Sequence, residues 1–245
     1  MSDFPYALEE DSLPRLGLIV LQVDETIEQD FRRLFAPDRA RLHVSRIPSG
    51  AELTPETIAT MEATLPAAAG LLPGGLDATG YACTSGTTLI GAGRVRDLVM
   101  GAAKTRAVSD PLTAALARCR ALGLAQVGIV SPYIAAVVQP IRAAFEAAGI
   151  SVPATLSFGE EVEARVARIA PGSIANAART LARQTRVDGI FLSCTNLRTL
   201  DITGPLSHEL GVPVLSSNQC LAWHMASLSG IAPAPRPDRR DMPSA

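Results

Sequence analysis

The chain has 245 residues, 47% of them apolar and 19% charged, which is a globular composition with ample material for one large or two small cores. Its net charge of −2 and its 4% aromatic content supply neither the basic footprint nor the stacking surface that a nucleic-acid partner requires.

In chain order, residues 1–14 read as a loose extension, acidic at Glu9, Glu10 and Asp11 and unlike a secretory leader. The apolar run 15–23 reads as a buried parallel strand and is far too short to cross a membrane. No membrane partner is expected, and a soluble, cytoplasmic protein is. A helix over 26–34 and a strand over 41–47 follow, then a helix over 55–69 opened by Thr54. Strand 77–83 leads into a helix or glycine-rich turn from Ser85. A short strand over 104–109 precedes Asp110, which caps a helix with Pro111 in its first turn. Strand 126–131, helix 133–148 closed by Gly149, and strand 152–157 come next. Helix 173–185, strand 189–193, helix 199–210, strand 213–215 and helix 217–227 complete the pattern. The tail 231–245 carries four prolines and reads as disordered. Alternating strands and helices predict a parallel sheet with helices on both faces, and ligands collect at the carboxyl ends of such strands.

Two of those strand ends look alike. Gly80-Tyr81-Ala82-Cys83-Thr84-Ser85-Gly86 and Gly189-Ile190-Phe191-Leu192-Ser193-Cys194-Thr195-Asn196 each run from an apolar strand into Cys-Thr and a small polar residue. A thiol at such a helix entrance is expected to have a lowered pKa and an accessible sulfur. Thr84, Ser85, Thr195 and Asn196 place hydroxyl, amide and backbone donors beside the thiols, as a developing carbanion or oxyanion needs. Cys119 and Cys220 fall inside helices and read as core. The four cysteines include no Cys-x-x-Cys, and His43, His208 and His224 share no ligand-like spacing, so no metal is expected. The single lysine, Lys104, lies in a loop and is a poor Schiff-base candidate, and no phosphate-binding glycine motif is present. No cofactor is expected.

Five motifs in order carry a family resemblance over about 17–231. They are Gly17-Leu18-Ile19-Val20, Cys83-Thr84-Ser85-Gly86, Ser131-Pro132-Tyr133, Ser193-Cys194-Thr195-Asn196-Leu197-Arg198-Thr199, and Ser216-Ser217-Asn218-Gln219 with Trp223 beyond. The chain resembles the aspartate/glutamate racemase superfamily on its maleate cis–trans isomerase and arylmalonate decarboxylase branch. It is most similar to the maleate-isomerase-like proteins of ectoine utilisation. The resemblance implies two α/β halves related by a pseudo-twofold, with a cofactor-free active site between them, and a homodimer or homotetramer. The expected division is 15–109 plus 213–230 for the first half and 110–212 for the second. It implies Cys83 and Cys194 as catalytic thiols acting on a small carboxylate or amino-acid substrate, with Tyr133 donating to a substrate carboxylate. The decarboxylases of the branch keep only the second thiol, so the pair favours a racemase or isomerase. A decarboxylase-type lyase and a non-catalytic binding protein remain as alternatives.

Two departures from the maleate isomerases bear on substrate. Asp24 stands where that group carries an asparagine that holds a carboxylate. A second such asparagine is replaced by an acidic residue, best matched by Glu163, with Glu160 and Glu161 close in register. Buried carboxylates repel a dicarboxylate and accept an ammonium group, so a substrate with an amino group is expected. Asp24 also reads as a solvated cap of the next helix, Tyr133 as an aromatic anchor, and Asn218 as the cap of the last helix.

Overall fold

The computed structural model describes residues 3–10 and 12–231. The expected disordered tail, beyond Ile231, lies outside the described residues. Residues 3–10 are exposed and carry no regular secondary structure.

Two four-stranded parallel sheets organise the chain. The first contains β1 (Arg15–Leu21), β2 (Arg41–Ile47), β3 (Ala78–Ala82) and β4 (Val108–Ser109), in the order β2-β1-β3-β4. The second contains β5 (Val127–Tyr133), β6 (Thr155–Glu160), β7 (Gly189–Leu192) and β8 (Val214–Ser216), in the order β6-β5-β7-β8. The strand order is the same in each, so Cys83 after β3 and Cys194 after β7 leave equivalent third strands. In each sheet the order reverses between its first and third strands in sequence, β1 and β3 or β5 and β7. This is the crevice where open α/β sheets bind ligands.

Ten helices join these strands among the described residues: α1 (Ile27–Leu34), α2 (Pro55–Gly70), α3 (Thr84–Ile90), α4 (Ala92–Ala102), α5 (Pro111–Leu122), α6 (Ala135–Ala147), α7 (Glu163–Val166), α8 (Pro171–Gln184), α9 (Thr203–Leu210) and α10 (Ser217–Leu228). No helix among the described residues is long and apolar enough to cross a membrane. The start of α2 has the expected Thr54 cap, whose hydroxyl accepts from Thr57 N–H, while Thr57 Oγ1 accepts from Thr54 N–H. Asp110 caps α5 through Thr113 N–H at 2.8 Å.

Several boundaries differ from expectation, each for a local reason. The segment after Cys83 forms two helices because Gly91, at φ +95°, ends α3 and starts α4. The strand expected at 152–157 shifts to Thr155–Glu160, since Pro153 has no N–H for the ladder. Only Val108–Ser109 of 104–109 is regular strand, with an isolated bridge at Thr105.

The expected division between halves also changes at 213–230. β8 hydrogen-bonds to β7 and so belongs to the second sheet. α10 then crosses over. Its Cys220 joins the second-sheet core with Val127, Ile129 and Phe191, while Leu221, Met225 and Ala226 pack with Leu16, Leu18 and Val20 of the first. Met225 lies close enough that a Cβ on Gly80 would meet its sulfur at 2.6 Å, so glycine in β3 sets the depth of this helix. α10 is thus a shared wall that fixes one half against the other.

Candidate active site

Cys83 follows β3 as the cap of α3, with its sulfur accepting from Gly86 N–H at 3.1 Å. A side chain at Gly86 would place Cβ 2.9 Å from that sulfur and 2.7 Å from the Tyr81 hydroxyl, so only glycine lets the thiol lie against the helix entrance. Cys194 follows β7, and its sulfur accepts from Asn196 N–H at 3.3 Å. Tyr133, at the end of β5, reaches across so that its hydroxyl lies 3.2 Å from the Cys194 sulfur. The same hydroxyl donates to Glu163 Oε1 at 2.6 Å. Glu163, not Glu160 or Glu161, is the acidic residue that acts on the thiols: it is 3% exposed and its charge raises both, while Glu160 pairs with Arg165.

Asp24 enters from the loop after β1. It does cap α1, through Oδ1 accepting from Thr26 N–H at 2.8 Å and Ile27 N–H at 2.9 Å, but it is buried rather than solvated. Its Oδ2 has no hydrogen-bond partner among the described residues. The neighbouring Thr195 hydroxyl donates to the Ala82 carbonyl at 3.3 Å and lies close enough to Asp24 to hold its carboxyl down in part.

The expectation of accessible, acidified thiols is overturned. Cys83 and Cys194 are only 5% and 4% exposed. Burial pushes the Cys83 thiol up to about 12 and the Cys194 thiol well above its ordinary value. The charges of Glu163 and Asp24 add to both shifts, and the N–H groups of Gly86 and Asn196 offset them only in part. Burial outweighs the helix entrance because the site is closed to water. The same two carboxylates act on both thiols, which places all four groups around one buried locus. Burial likewise raises Asp24 and Glu163, against the lowering effect of their hydrogen bonds.

That shift has a consequence for stability. In the unfolded chain Asp24 ionises near its ordinary value, whereas the folded protein holds its proton to higher pH. Folding therefore takes up a proton in this window, and stability falls as pH rises from the unfolded value through the folded one. Asp24→Asn keeps the Oδ1 acceptor for Thr26 and Ile27 while removing the charge. It is expected to raise the urea midpoint at pH above that window and to flatten the decline, measured as unfolding curves across the acid-to-neutral range.

The seam around these groups is polar and buried. Asn196 Oδ1 accepts from Glu25 N–H at 2.9 Å, and its Nδ2 donates to the Glu163 carbonyl at 3.2 Å. Thr26 Oγ1 donates to the Asn196 carbonyl at 2.9 Å, and Thr84 and Ser217 hydroxyls meet at 2.9 Å. Asn218 does not cap α10, which Ser216 does. Its Nδ2 instead donates to Asp30 Oδ2 at 2.7 Å and to the Thr195 carbonyl at 2.9 Å. Ser85 is buried in the first turn of α3. Tyr81 and Asp30 escape sequence reasoning as site residues, and Gly86 and Ser217 fall within the sequence motifs without being singled out. Tyr81 and Asp30 read as ordinary strand and helix residues, and only tertiary contact gives them a role at the site. Among the described residues no group of three or more His, Cys, Asp or Glu side chains could hold a metal ion.

Comparison with known proteins places this geometry. Residues 54–239 match the arylmalonate decarboxylase family model. The arylmalonate decarboxylase of Bordetella bronchiseptica is 31% identical over 126 residues, 51% of this chain and 52% of that protein, so the chain spans about half the length of the curated relative it matches. The Nocardia farcinica maleate cis–trans isomerase bound to TRIS superposes with a TM-score of 0.80 at 22% identity, covering 89% of this chain and 93% of that one. A doubly substituted arylmalonate decarboxylase in a liganded form also gives 0.80, at 24% identity over 91% and 96% of the two chains. These structures share the fold, two parallel-sheet α/β halves, and these relatives are enzymes. The chain belongs to the arylmalonate decarboxylase family.

Proposed function

We propose that the protein is a cofactor-independent isomerase or racemase that uses Cys83 and Cys194 on opposite sides of a small carboxylic or amino acid. The observation that carries this reading is the pair of buried thiols at equivalent strand ends, each raised first by burial and further by the same two carboxylates. In a racemase, one thiolate removes the α-proton while the opposing thiol returns one to the other face. In a cis–trans isomerase, one thiolate adds to the double bond, the carbon–carbon bond rotates, and the sulfur leaves. Thiols pushed up this far are scarcely ionised near neutral pH, so either reaction needs substrate binding to bring one of them back toward the working range. For a planar intermediate, the donors are the hydroxyls and N–H groups of Thr84, Ser85, Thr195 and Asn196.

Asp24 bears on the substrate. A buried carboxylate oxygen without a partner is costly and is satisfied by a cationic group. A substrate ammonium beside Oδ2 also offsets one of the charges that raise both thiols, so binding favours thiolate formation. An amino or diamino acid fits this better than a dicarboxylate such as maleate. The similarity to ectoine-utilisation proteins points to a diamino acid from that breakdown. The second reading, a decarboxylase, draws on the family match itself and on the 31% identical relative.

Incubation in deuterium oxide with a panel of small amino acids and dicarboxylates tests the choice. Deuterium at an α-carbon with loss of optical purity is the expected result. Isomerisation without exchange indicates covalent addition and rotation. Carbon dioxide release would overturn the proposal in favour of the lyase, as would high turnover of maleate for the amino-acid substrate class.

A further inference from the structure

Glu163, Tyr133 and Cys194 form a continuous buried chain, with the phenol oxygen 2.6 Å from the carboxylate and 3.2 Å from the sulfur. The phenol carries one hydrogen, and an ionised carboxylate can only accept. With Glu163 ionised, Tyr133 donates to it and the Cys194 S–H donates to the phenol oxygen. The chain has a direction, from sulfur through oxygen to carboxylate. Its O–H···O bond has the length of a neutral donor on an ionised acceptor. Glu163 is held in place by Ala51, whose carbonyl accepts its N–H at 2.9 Å, and by the Asn196 amide on its own carbonyl.

Cys83 is placed differently. Its sulfur accepts the Gly86 N–H and lies beside Tyr81, whose hydroxyl donates to the Met61 thioether at 3.8 Å rather than to a carboxylate. The two thiols are thus equivalent in topology and unequal in proton connection.

We propose that Glu163 is the proton acceptor for Cys194, reached through Tyr133, so that Cys194 is the thiol converted to thiolate and Cys83 the one that stays protonated at the start of turnover. The Cys194 S–H bond breaks as its proton joins the Tyr133 oxygen. The phenolic O–H bond breaks as its proton joins Glu163 Oε1. The products are a thiolate, a neutral phenol and a neutral carboxylic acid. No electrons leave the three groups and their total charge is unchanged. The burial that opposes loss of a proton to water therefore opposes this internal transfer much less. Glu163 acts through Tyr133 and is a positioning residue in this scheme.

Thiol reactivity in the full-length protein, without substrate, tests the relay. Iodoacetamide is the probe, and peptide mass mapping reads Cys194 and Cys83 separately. Cys83 reports any opening of the site in the same molecules. A thiol that must lose its proton to solvent is alkylated about tenfold faster per pH unit below its pKa. A thiolate formed by internal transfer has a population independent of pH once Glu163 is ionised. Between about pH 7 and about pH 9 the Cys194 rate is therefore expected to change less than about threefold, while Cys83 rises about tenfold per unit. Glu163→Gln and Tyr133→Phe should each convert the Cys194 plateau into the steep profile. A steep Cys194 profile in the unsubstituted protein overturns the relay. So does a plateau that survives Tyr133→Phe, which also keeps the test decisive should Glu163→Gln fail to fold. A Glu163→Gln protein with the same steepness and a faster rate at every pH would show that the carboxylate merely repels the thiolate. The relay rests on the two-thiol reading only for its part in turnover. A plateau with no isotope exchange from any substrate sinks the reaction class and leaves the relay, and exchange without a plateau does the reverse.

Discussion

Cys194→Ser and Cys83→Ser should each lower turnover by about 10³-fold or more, the scale of a lost acid or base group. Serine matches the thiol in shape and its oxygen can accept the same N–H groups, from Asn196 in one case and Gly86 in the other. The fold should survive, so the loss reads on chemistry. What changes is proton affinity, since a buried hydroxyl is a far weaker acid than even these raised thiols. The two-thiol reading requires both variants to fail. The decarboxylase reading requires only Cys194, so a Cys83→Ala protein that keeps near-normal turnover would exclude racemisation and isomerisation by paired thiols. Steady-state rates of the three variants on the substrate found by isotope exchange settle the matter. Residual deuterium wash-in without inversion in Cys83→Ser would further show Cys194 acting alone from one face.

Asn196→Ala is expected to damage stability and activity together. Its side chain accepts from Glu25 N–H and donates toward the Val23 carbonyl, the Glu163 carbonyl and Glu163 Oε2, at 2.9, 3.4, 3.2 and 3.4 Å. These partners come from both halves. Truncation strands a backbone N–H and carbonyl in a buried seam, at about 1–3 kcal/mol for each group left unsatisfied. A loss of about 3 kcal/mol follows, read as a lower urea midpoint with an unchanged slope. The surface ion pairs that also join the halves, Arg168 with Glu25 and Arg33 with Asp201, cannot compensate, because exposed pairs contribute about 0–1 kcal/mol each. Disrupting Arg168–Glu25 alone should leave the midpoint nearly unchanged. An equal effect from the ion pair would mean that the buried polar seam is not what holds the halves.

Much of this architecture is legible in the chain before any coordinates. The apolar runs at β1, β5 and β7 announce buried parallel strands, and Thr54, Asp110 and Pro111 mark helix starts through local hydrogen-bond chemistry that depends on few distant residues. The paired Cys-Thr segments locate both thiols, since strand-to-helix turns repeat in sequence when they repeat in topology. The register of the acidic loop is less legible. Glu160, Glu161 and Glu163 differ little as letters, and only the Ala51 carbonyl and the Tyr133 hydroxyl select Glu163.

Local pattern thus sufficed for fold class and for the position of two cysteines at strand ends, because periodicity and capping are short-range. Protonation was beyond its reach. A helix entrance predicts an acidic thiol, yet both thiols are pushed up, because desolvation depends on how completely two halves close over them. The crossing of α10 from one core to the other, the unpartnered oxygen of Asp24 and the polarity of the Cys194–Tyr133–Glu163 chain arise from the same closure. The contacts behind them range from Tyr133 with Glu163, 30 positions apart, to Leu16 with Leu221, 221 − 16 = 205 apart, and contacts at that separation exist only once the chain has packed.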